Sequence, residues 1–126
     1  MTAQVLVVED TAANMKLASM LLRSAGHGVL QARSAEEGLA LARAHRPRLI
    51  LMDMHLPGMD GLAATRMLKD DRRTRAIPVV AVTAFAMWGD EQRMREAGCD
   101  GYIAKPIRYK DFLEEVARFV APRPKA

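Results

Sequence analysis

Polar residues that could do chemistry stand at the ends of short apolar runs in this chain. Glu9 and Asp10 follow one such run, and Asp53, Thr83 and Lys105 each follow another. If the runs are parallel strands, their carboxyl ends meet at one edge of a sheet, which is where open α/β sheets bind ligands. The sequence therefore predicts that three carboxylates, a hydroxyl and an ammonium group converge there.

Three carboxylates at one edge are expected to hold a metal ion. Without a cation among them they would repel one another, and their pKa values would rise. All the candidate ligands are hard oxygens, so Mg²⁺ is favoured over zinc, which prefers histidine and cysteine. A Mg²⁺ ion bound by one or two carboxylates usually takes phosphate oxygens as further ligands. The pattern thus indicates phosphate chemistry.

Asp53 is the best candidate for a phosphoryl acceptor. It ends the third apolar run, between the acidic pair and the other polar residues, and an ionised aspartate is the nucleophile of aspartyl-phosphate chemistry. Thr83 could donate its hydroxyl to one phosphate oxygen, and Lys105 could place its ammonium group against another.

The apolar runs themselves predict five strands. Three of them are continuously apolar, which is typical of strands buried on both faces of a parallel sheet. The predicted strands are Val5–Val8, Gly28–Ala32, Leu49–Met52, Ile77–Val82 and Tyr102–Ala104.

Segments with helical periodicity separate these strands. Local signals agree: Gly26 suits the position after the first helix, Ser34 and Glu37 form a capping-box pattern, Pro47 ends the second helix and Asp60 opens the third. Five β-α units with crossovers of this length predict an α/β fold, a doubly wound five-stranded parallel sheet with helices on both faces. The apolar positions are Leu17, Leu21, Leu22 and Ala25 in the first helix, Ala35, Leu39 and Ala42 in the second, Leu62, Thr65 and Leu68 in the third, and Phe112, Leu113, Val116, Phe119 and Val120 in the last.

Length and composition are those of one globular domain. The chain has 126 residues, of which 50% are hydrophobic and 27% charged. Its apolar runs are much shorter than a membrane span needs, and its start lacks the pattern of a signal peptide, so we expect a cytoplasmic protein without membrane insertion. The single cysteine, Cys99, cannot form an intrachain disulfide and is predicted to be a buried structural thiol.

The positive charge of the chain is moderate. The net charge is +4, from 19 basic and 15 acidic residues, and aromatic residues do not alternate with the basic ones. A solvated face is the simplest interpretation, and no nucleic acid partner is expected.

Together these residues resemble the receiver domains of bacterial two-component response regulators, in the CheY-like superfamily, over essentially the whole chain. Further segments resemble DivK-type single-domain regulators. The first resemblance depends on Val-Val-Glu-Asp at 7–10, Leu-Ile-Leu-Met-Asp-Met-His-Leu-Pro-Gly-Met-Asp-Gly at 49–61, Val-Thr-Ala at 82–84 and Tyr-Ile-Ala-Lys-Pro at 102–106, and the second on Asn-Met-Lys-Leu at 14–17, residues 77–87 and Gly-Cys at 98–99.

The resemblance implies a flavodoxin-like (βα)5 fold with strand order 2-1-3-4-5, a receiver domain over residues 1–121 and a short basic tail over 122–126. It implies that Asp53 is the phosphoacceptor and that Lys105 contacts the phosphoryl group. Asp10 and Asp53 would bind Mg²⁺ directly, Glu9 through water, and His55 through its backbone carbonyl. The family commonly has aspartate where Glu9 stands, and the longer side chain favours the water-mediated role.

Two further features follow from the resemblance. Thr83 and Tyr102 would form a switch pair, in which the hydroxyl moves toward the phosphoryl group and the ring turns inward. The bond between Lys105 and Pro106 would be cis.

The resemblance also implies the kind of partner. The phosphoryl donor would be a histidine kinase or a histidine phosphotransfer protein, and the signal would leave through a downstream protein effector, in cell-division or polarity control. Such a protein is a phosphoacceptor switch rather than an enzyme, although it assists its own Mg²⁺-dependent phosphotransfer and slow dephosphorylation. A monomer or a weak phosphorylation-dependent dimer is expected.

Trp88 is a candidate partner-binding residue. In the fourth predicted helix it lies on the polar side with Glu91 and Arg95, whereas Met94 and Ala97 share the inward stripe. An exposed tryptophan could anchor an interface, and it could equally lie flat on its own surface.

Three other functions remain to be weighed. A phosphatase with an aspartate nucleophile needs a second aspartate two residues later, where this chain has His55. A flavin carrier needs hydroxyls and amides after the first strand, where Glu9 and Asp10 would repel phosphate. A module that acts by binding alone is the strongest rival, and the complete acceptor set argues against it.

Overall fold

The computed structural model describes residues 4–84 and 88–120, with the side chains of 88–90 excepted. Strands and helices alternate along the chain, as the sequence predicts. The elements are β1 Gln4–Val8, α1 Ala12–Ser24, β2 Gly28–Ala32, α2 Ala35–His45, β3 Leu49–Asp53, α3 Gly61–Asp70, β4 Val79–Thr83, α4 Trp88–Ala97, β5 Gly101–Ala104 and α5 Tyr109–Val120.

The five strands form one parallel sheet in the order β2-β1-β3-β4-β5, so the predicted fold is confirmed. Alternate residues of the central strands point to opposite faces of the sheet. Leu6 and Ile50 pack on the face covered by α2, α3 and α4, whereas Val5 and Leu51 pack on the face covered by α1 and α5. Burial on both faces explains why the central runs are continuously apolar.

Most local signals act as predicted. The Ser34 hydroxyl accepts a hydrogen bond from the Glu37 amide and Asp60 caps α3 in the same manner, while Gly26 follows α1 with φ of +89°. The fourth strand begins later than predicted, at Val79. Its expected first residue, Ile77, instead closes a turn by donating its amide to Thr74.

The predicted apolar stripe of α1 is right at Leu22, which is fully buried, and at Leu21, which packs against the core, but wrong at Leu17 and Ala25, which are exposed. Leu17 is 39% exposed, and the buried face consists of Met15, Ala18, Ser19 and Leu22. The reason is that a polar residue occupies this stripe: the Ser19 hydroxyl accepts a hydrogen bond of 2.9 Å from the Gln31 side chain on β2. A buried serine costs the fold little when its hydroxyl has a hydrogen-bond partner. A prediction that considers apolar residues alone, however, does not recognise such a serine as part of the buried face.

Cys99 follows α4 and is half-buried rather than fully buried. Its Sγ lies 3.9 Å from the hydroxyl oxygen of Thr65, a buried residue of α3. Burial raises the pKa of this thiol, which keeps it protonated and unreactive. In the parts of the chain that the structure describes, no helix has the length and apolarity that a membrane crossing needs.

Candidate functional site

The carboxyl edge of the sheet brings the predicted site residues together. Glu9 follows β1, and Asp53 ends the adjacent β3, with Val8 and Met52 paired immediately before them. On the other side of β3, Asp53 pairs with Val82 of β4, so Thr83 is the next residue along. Glu9 and Thr83 thus lie on either side of Asp53 because of the order of the strands.

Glu9, Asp10 and Asp53 form an acidic cluster. One carboxylate oxygen from each lies within 4.8 Å of the others. Glu9 and Asp53 are 4% and 2% exposed, whereas Asp10 is open to solvent. Two buried carboxylates and one accessible carboxylate make a site that an ion or a phosphoryl donor can reach from one side.

Lys105 supplies the counter-charge. Its Nζ lies 3.2 Å from Glu9 Oε1 and 3.2 Å from Asp53 Oδ2, and the lysine precedes a cis bond to Pro106. Burial alone would lower the pKa of Lys105, but the attraction of the two carboxylates outweighs it, and the pKa is raised. The ammonium group therefore stays charged at any pH at which the protein works.

Backbone amides complete the hydrogen bonding of the two buried carboxylates. The His55 amide donates to Asp53 Oδ1 at 2.9 Å, and the Thr11 amide donates to Glu9 Oε2 at 3.1 Å. Residue types give no sign of such donors, so the sequence analysis missed both. The sequence signal that could have identified them is their position, because each amide lies two residues after the carboxylate that it binds, as in Asx-type turns.

The electrostatic state of Glu9 reflects crowding in the cluster. Its pKa is raised, first because burial disfavours the charged form. The Thr11 amide opposes this shift, the nearby Asp53 carboxylate adds to it, and the Lys105 ammonium again opposes it. Three carboxylates with one ammonium group in contact leave the cluster short of positive charge.

This donor set fits a hard divalent cation. The three carboxylates, the excess negative charge and the accessible Asp10 meet what Mg²⁺ requires, which is oxygen ligands with room for water and phosphate. In the described parts of the chain, neither histidine nor cysteine side chains belong to this cluster, which argues against zinc.

Thr83 lines a cavity next to the acidic cluster. The threonine is 2% exposed and, with His55 and Arg93, lines about 360 Å³ between the β3–α3 loop and α4. Arg93 was not singled out by the sequence analysis, because it is one charged residue among many on α4. The cavity is thus bounded by the loop that follows β3 on one side and by Arg93 and Met94 of α4 on the other.

The predicted switch residue Tyr102 and the predicted partner contact Trp88 are not part of the acidic cluster. Tyr102 is paired with Ala81, two residues before the Thr83–Ala104 pair, and its ring is 40% exposed. The tyrosine is thus on the outside of the sheet edge. Trp88 begins α4, but its side chain lies outside the described part of the chain, so its role at an interface stays a prediction.

Comparison with known proteins finds close relatives over nearly the whole chain. The family model named response regulator receiver domain matches residues 5–117. The chain is 50% identical over 120 residues to the polar-differentiation response regulator DivK of Brucella ovis, a match that covers 95% of this chain and 98% of that protein.

Solved structures agree with this assignment. The receiver domain of the sensor histidine kinase PA1611 from Pseudomonas aeruginosa, with a magnesium ion coordinated in its active-site cleft, is 31% identical with a TM-score of 0.89, over 97% of this chain and 100% of that one. The chemotaxis protein CheY4 of Vibrio cholerae is 25% identical with a TM-score of 0.90, over 94% and 99% of the two chains. The chain therefore belongs to the response regulator receiver domain family, the phosphoacceptor switches of two-component phosphorelays.

Proposed function

We propose that this receiver accepts a phosphoryl group on Asp53 in a Mg²⁺-dependent reaction and signals through contacts that depend on the phosphoryl group. The observation that carries the proposal is the position of the buried Asp53 carboxylate, which lies between two other carboxylates and an ammonium group at 3.2 Å. Negative charge is concentrated here together with the groups that neutralise a phosphoryl group.

The chemistry proposed for Asp53 is a displacement at phosphorus. A carboxylate oxygen forms a bond to phosphorus while the bond from phosphorus to the donor nitrogen breaks, and the departing imidazole takes up a proton from solvent. The His55 amide holds one carboxylate oxygen, which fixes the orientation of the nucleophile. No general base is needed, because the attacking group is already ionised.

We assign the metal to Asp10 and Asp53 directly, with Glu9 acting through water and His55 through its backbone carbonyl. When bound, Mg²⁺ would neutralise charge that develops on the phosphoryl oxygens. Lys105 is proposed to move its ammonium contact from the carboxylates to a phosphoryl oxygen. The Thr83 hydroxyl is proposed to donate to another, which would draw the end of β4 inward.

The output is proposed to follow from charge. Phosphorylation replaces the single negative charge of Asp53 with about two, carried by the phosphoryl oxygens at a buried edge of the sheet, which biases the packing of nearby elements. Thr83 and Tyr102 are proposed as the pair that transmits this bias, since they lie on adjacent strands, with Thr83 lining the 360 Å³ cavity and Tyr102 exposed on β5. Trp88 is proposed as a contact for the effector.

The partners and setting extend the same proposal. A histidine kinase or a histidine phosphotransfer protein is proposed as donor, and a protein effector as receiver of the signal, with the chain monomeric or weakly dimeric when phosphorylated. The name of the Brucella relative, a polar-differentiation response regulator, suggests polarity or cell-division control. Because such donors draw on ATP, we place the protein in the cytoplasm. We assign the receiver domain to residues 1–121, which include the matched range, and the basic tail to residues 122–126.

Phosphoryl capture can be tested with acetyl phosphate as donor. Wild type incubated with acetyl phosphate and Mg²⁺ should gain one phosphoryl group by intact mass, and the same mixture with excess EDTA should show almost none. The reason is that the acidic cluster repels an anionic donor unless a cation is present. Equal labelling with and without the metal would contradict the proposed cofactor while leaving the acceptor in place.

Replacing Lys105 should strengthen metal binding. In Lys105→Met the ammonium group no longer stands 3.2 Å from two carboxylates, so a divalent cation meets less repulsion. We expect Mg²⁺ to bind at least about ten-fold more tightly. A ten-fold gain requires about 1.4 kcal/mol, and the repulsion between an ammonium group and a divalent cation a few ångströms apart exceeds that value. Calorimetric titration measures this without any phosphoryl donor.

Lys110→Met is the matched control, because that lysine is exposed on α5. Its Mg²⁺ affinity should equal that of wild type. Unchanged or weaker binding by Lys105→Met would show that the ammonium group does not compete with the metal.

A further inference from the structure

The net charge of this chain is concentrated in twelve residues. Segments 43–48 and 70–75 contain six arginines and two aspartates, a net charge of +4, which equals the net charge of the whole chain. The other 114 residues are therefore neutral in sum. We call these two segments the basic pole. The arginines are Arg43, Arg46, Arg48, Arg72, Arg73 and Arg75, and the aspartates are Asp70 and Asp71.

The two segments form one surface because the fold places them side by side. Arg48 directly precedes β3, and residues 71–78 lead into the adjacent β4, so both lie at the amino edge of the sheet. Asp71 joins them, with its Oδ2 2.9 Å from Arg73 Nη2 on its own loop and 3.0 Å from Arg43 Nε at the end of α2. The pole is therefore contiguous.

The carboxylate of Asp71 is paired with Arg43 and Arg73 inside the pole, so it is not available to the other arginines, and most of the positive charge faces solvent. Arg46, Arg48, Arg72 and Arg75 are all exposed. Every cation here is an arginine, whose planar guanidinium group pairs with phosphate oxygens through two parallel hydrogen bonds. The surface is suited to a phosphate-bearing ligand.

The pole lies at the opposite edge of the sheet from Asp53. The acceptor ends β3 and Arg48 precedes the same strand, so about 13 Å of extended backbone separates the two edges. A ligand on the pole would leave the acidic site facing away and open to a phosphoryl donor.

We infer that the basic pole binds the phosphate headgroups of an anionic lipid bilayer and adsorbs the receiver to that surface without insertion. The large apolar side chains that are exposed in the described residues lie outside both segments, so nothing apolar at the pole enters the bilayer. Adsorption is then electrostatic, as for clusters of basic residues near anionic membranes. A bilayer offers many phosphates in one plane, and the exposed arginines of the pole come from two segments at one edge of the sheet.

Duplex nucleic acid fits this surface less well. Proteins that bind a duplex usually present a helix, a ribbon or a helix N-terminus to the phosphates or grooves. Here α2 and α3 both end at the pole, with last residues His45 and Asp70, so neither offers the helix N-terminus that a duplex usually meets, whereas adsorption to a bilayer needs no element that enters a groove. Only long side chains can then reach a phosphate.

Vesicle co-sedimentation of the full chain tests the inference. The probe is a zwitterionic phosphatidylcholine vesicle with about one-third phosphatidylglycerol, compared with pure phosphatidylcholine at low and high salt. Wild type should bind the anionic vesicle only, and less at high salt. The double variant Arg48→Ala, Arg72→Ala should lose roughly 25-fold in partitioning, because each arginine contributes about five-fold.

The matched control is Arg33→Ala, Arg108→Ala, which removes the same charge from exposed residues that follow β2 and β5 at the other edge. It should bind within about two-fold of wild type, since it leaves the pole intact. Labelling by acetyl phosphate establishes that both double variants are folded. Absence of wild-type binding at low salt, equal loss in the two double variants, or binding to duplex DNA without binding to vesicles would each overturn the inference.

Discussion

Asp53→Asn should abolish phosphoryl capture. With acetyl phosphate and Mg²⁺, wild type is expected to gain one phosphoryl group and this variant none, because an amide oxygen is a far weaker nucleophile than a carboxylate. The substitution changes little else: the amide oxygen can still accept the hydrogen bond from the His55 amide. With the oxygen held there, the amide NH₂ group takes the place of Oδ2 and faces Lys105, so the ammonium group loses this contact and keeps its contact with Glu9. Intact mass after a fixed incubation gives the result directly.

Asp60→Asn is the control for this experiment. Asp60 lies on the loop that follows β3 and caps α3 by accepting a hydrogen bond of 2.8 Å from the Ala63 amide. Asparagine caps a helix as well as aspartate, so the fold and the labelling should be those of wild type. Labelling of Asp53→Asn at the wild-type level would place the acceptor on Glu9 or Asp10 and refute the proposed chemistry.

Gly61→Ala should destabilise the protein and disturb the acceptor together. Gly61 begins α3 and packs against the end of β3, where an added Cβ would lie 2.8 Å from the Met54 Cα and still closer to the carbonyl oxygen of Asp53. Both neighbours are backbone atoms, so the first turn of α3 must move. We expect a loss of about 1–3 kcal/mol in the free energy of unfolding, and slower labelling of Asp53.

Gly26→Ala separates these two effects. Gly26 has φ of +89°, so alanine is strained there, but the added Cβ has no atom within 4 Å and lies at the other edge of the sheet. The cost should be similar, about 1–2 kcal/mol, with the labelling rate unchanged. Denaturant unfolding and the time course of labelling are both needed. If Gly61→Ala labels as fast as wild type, the close contact does not position the acceptor.

The arrangement of the site was largely predictable because it depends on strand order. Glu9, Asp53 and Thr83 meet since each ends a strand of one parallel sheet, and a period-based count of apolar residues finds those strands. The residue pattern alone could not predict the order of the strands, which was inferred from the resemblance to receiver domains. Once the order is known, the neighbours of Asp53 are determined.

Features that depend on geometry rather than residue type were not predictable. The amides of Thr11 and His55 hold the buried carboxylates, and any non-proline residue could supply them. The buried face of α1 was found only in part, because one of its members is Ser19, which is buried with its hydroxyl bonded to Gln31. In the same way, Gly61 is recognisable as a close contact only when the backbone of Met54 is placed beside it.

The contact between Lys105 and Asp53 joins residues 52 positions apart, and the lysine follows the last strand along the chain. During synthesis on the ribosome, the acidic cluster emerges well before its counter-charge. The complete site therefore exists only after the final strand has been released and has paired with β4. Until then Glu9 and Asp53 lack the ammonium group that lies 3.2 Å from each of them, so their mutual repulsion is compensated only by a residue that follows β5.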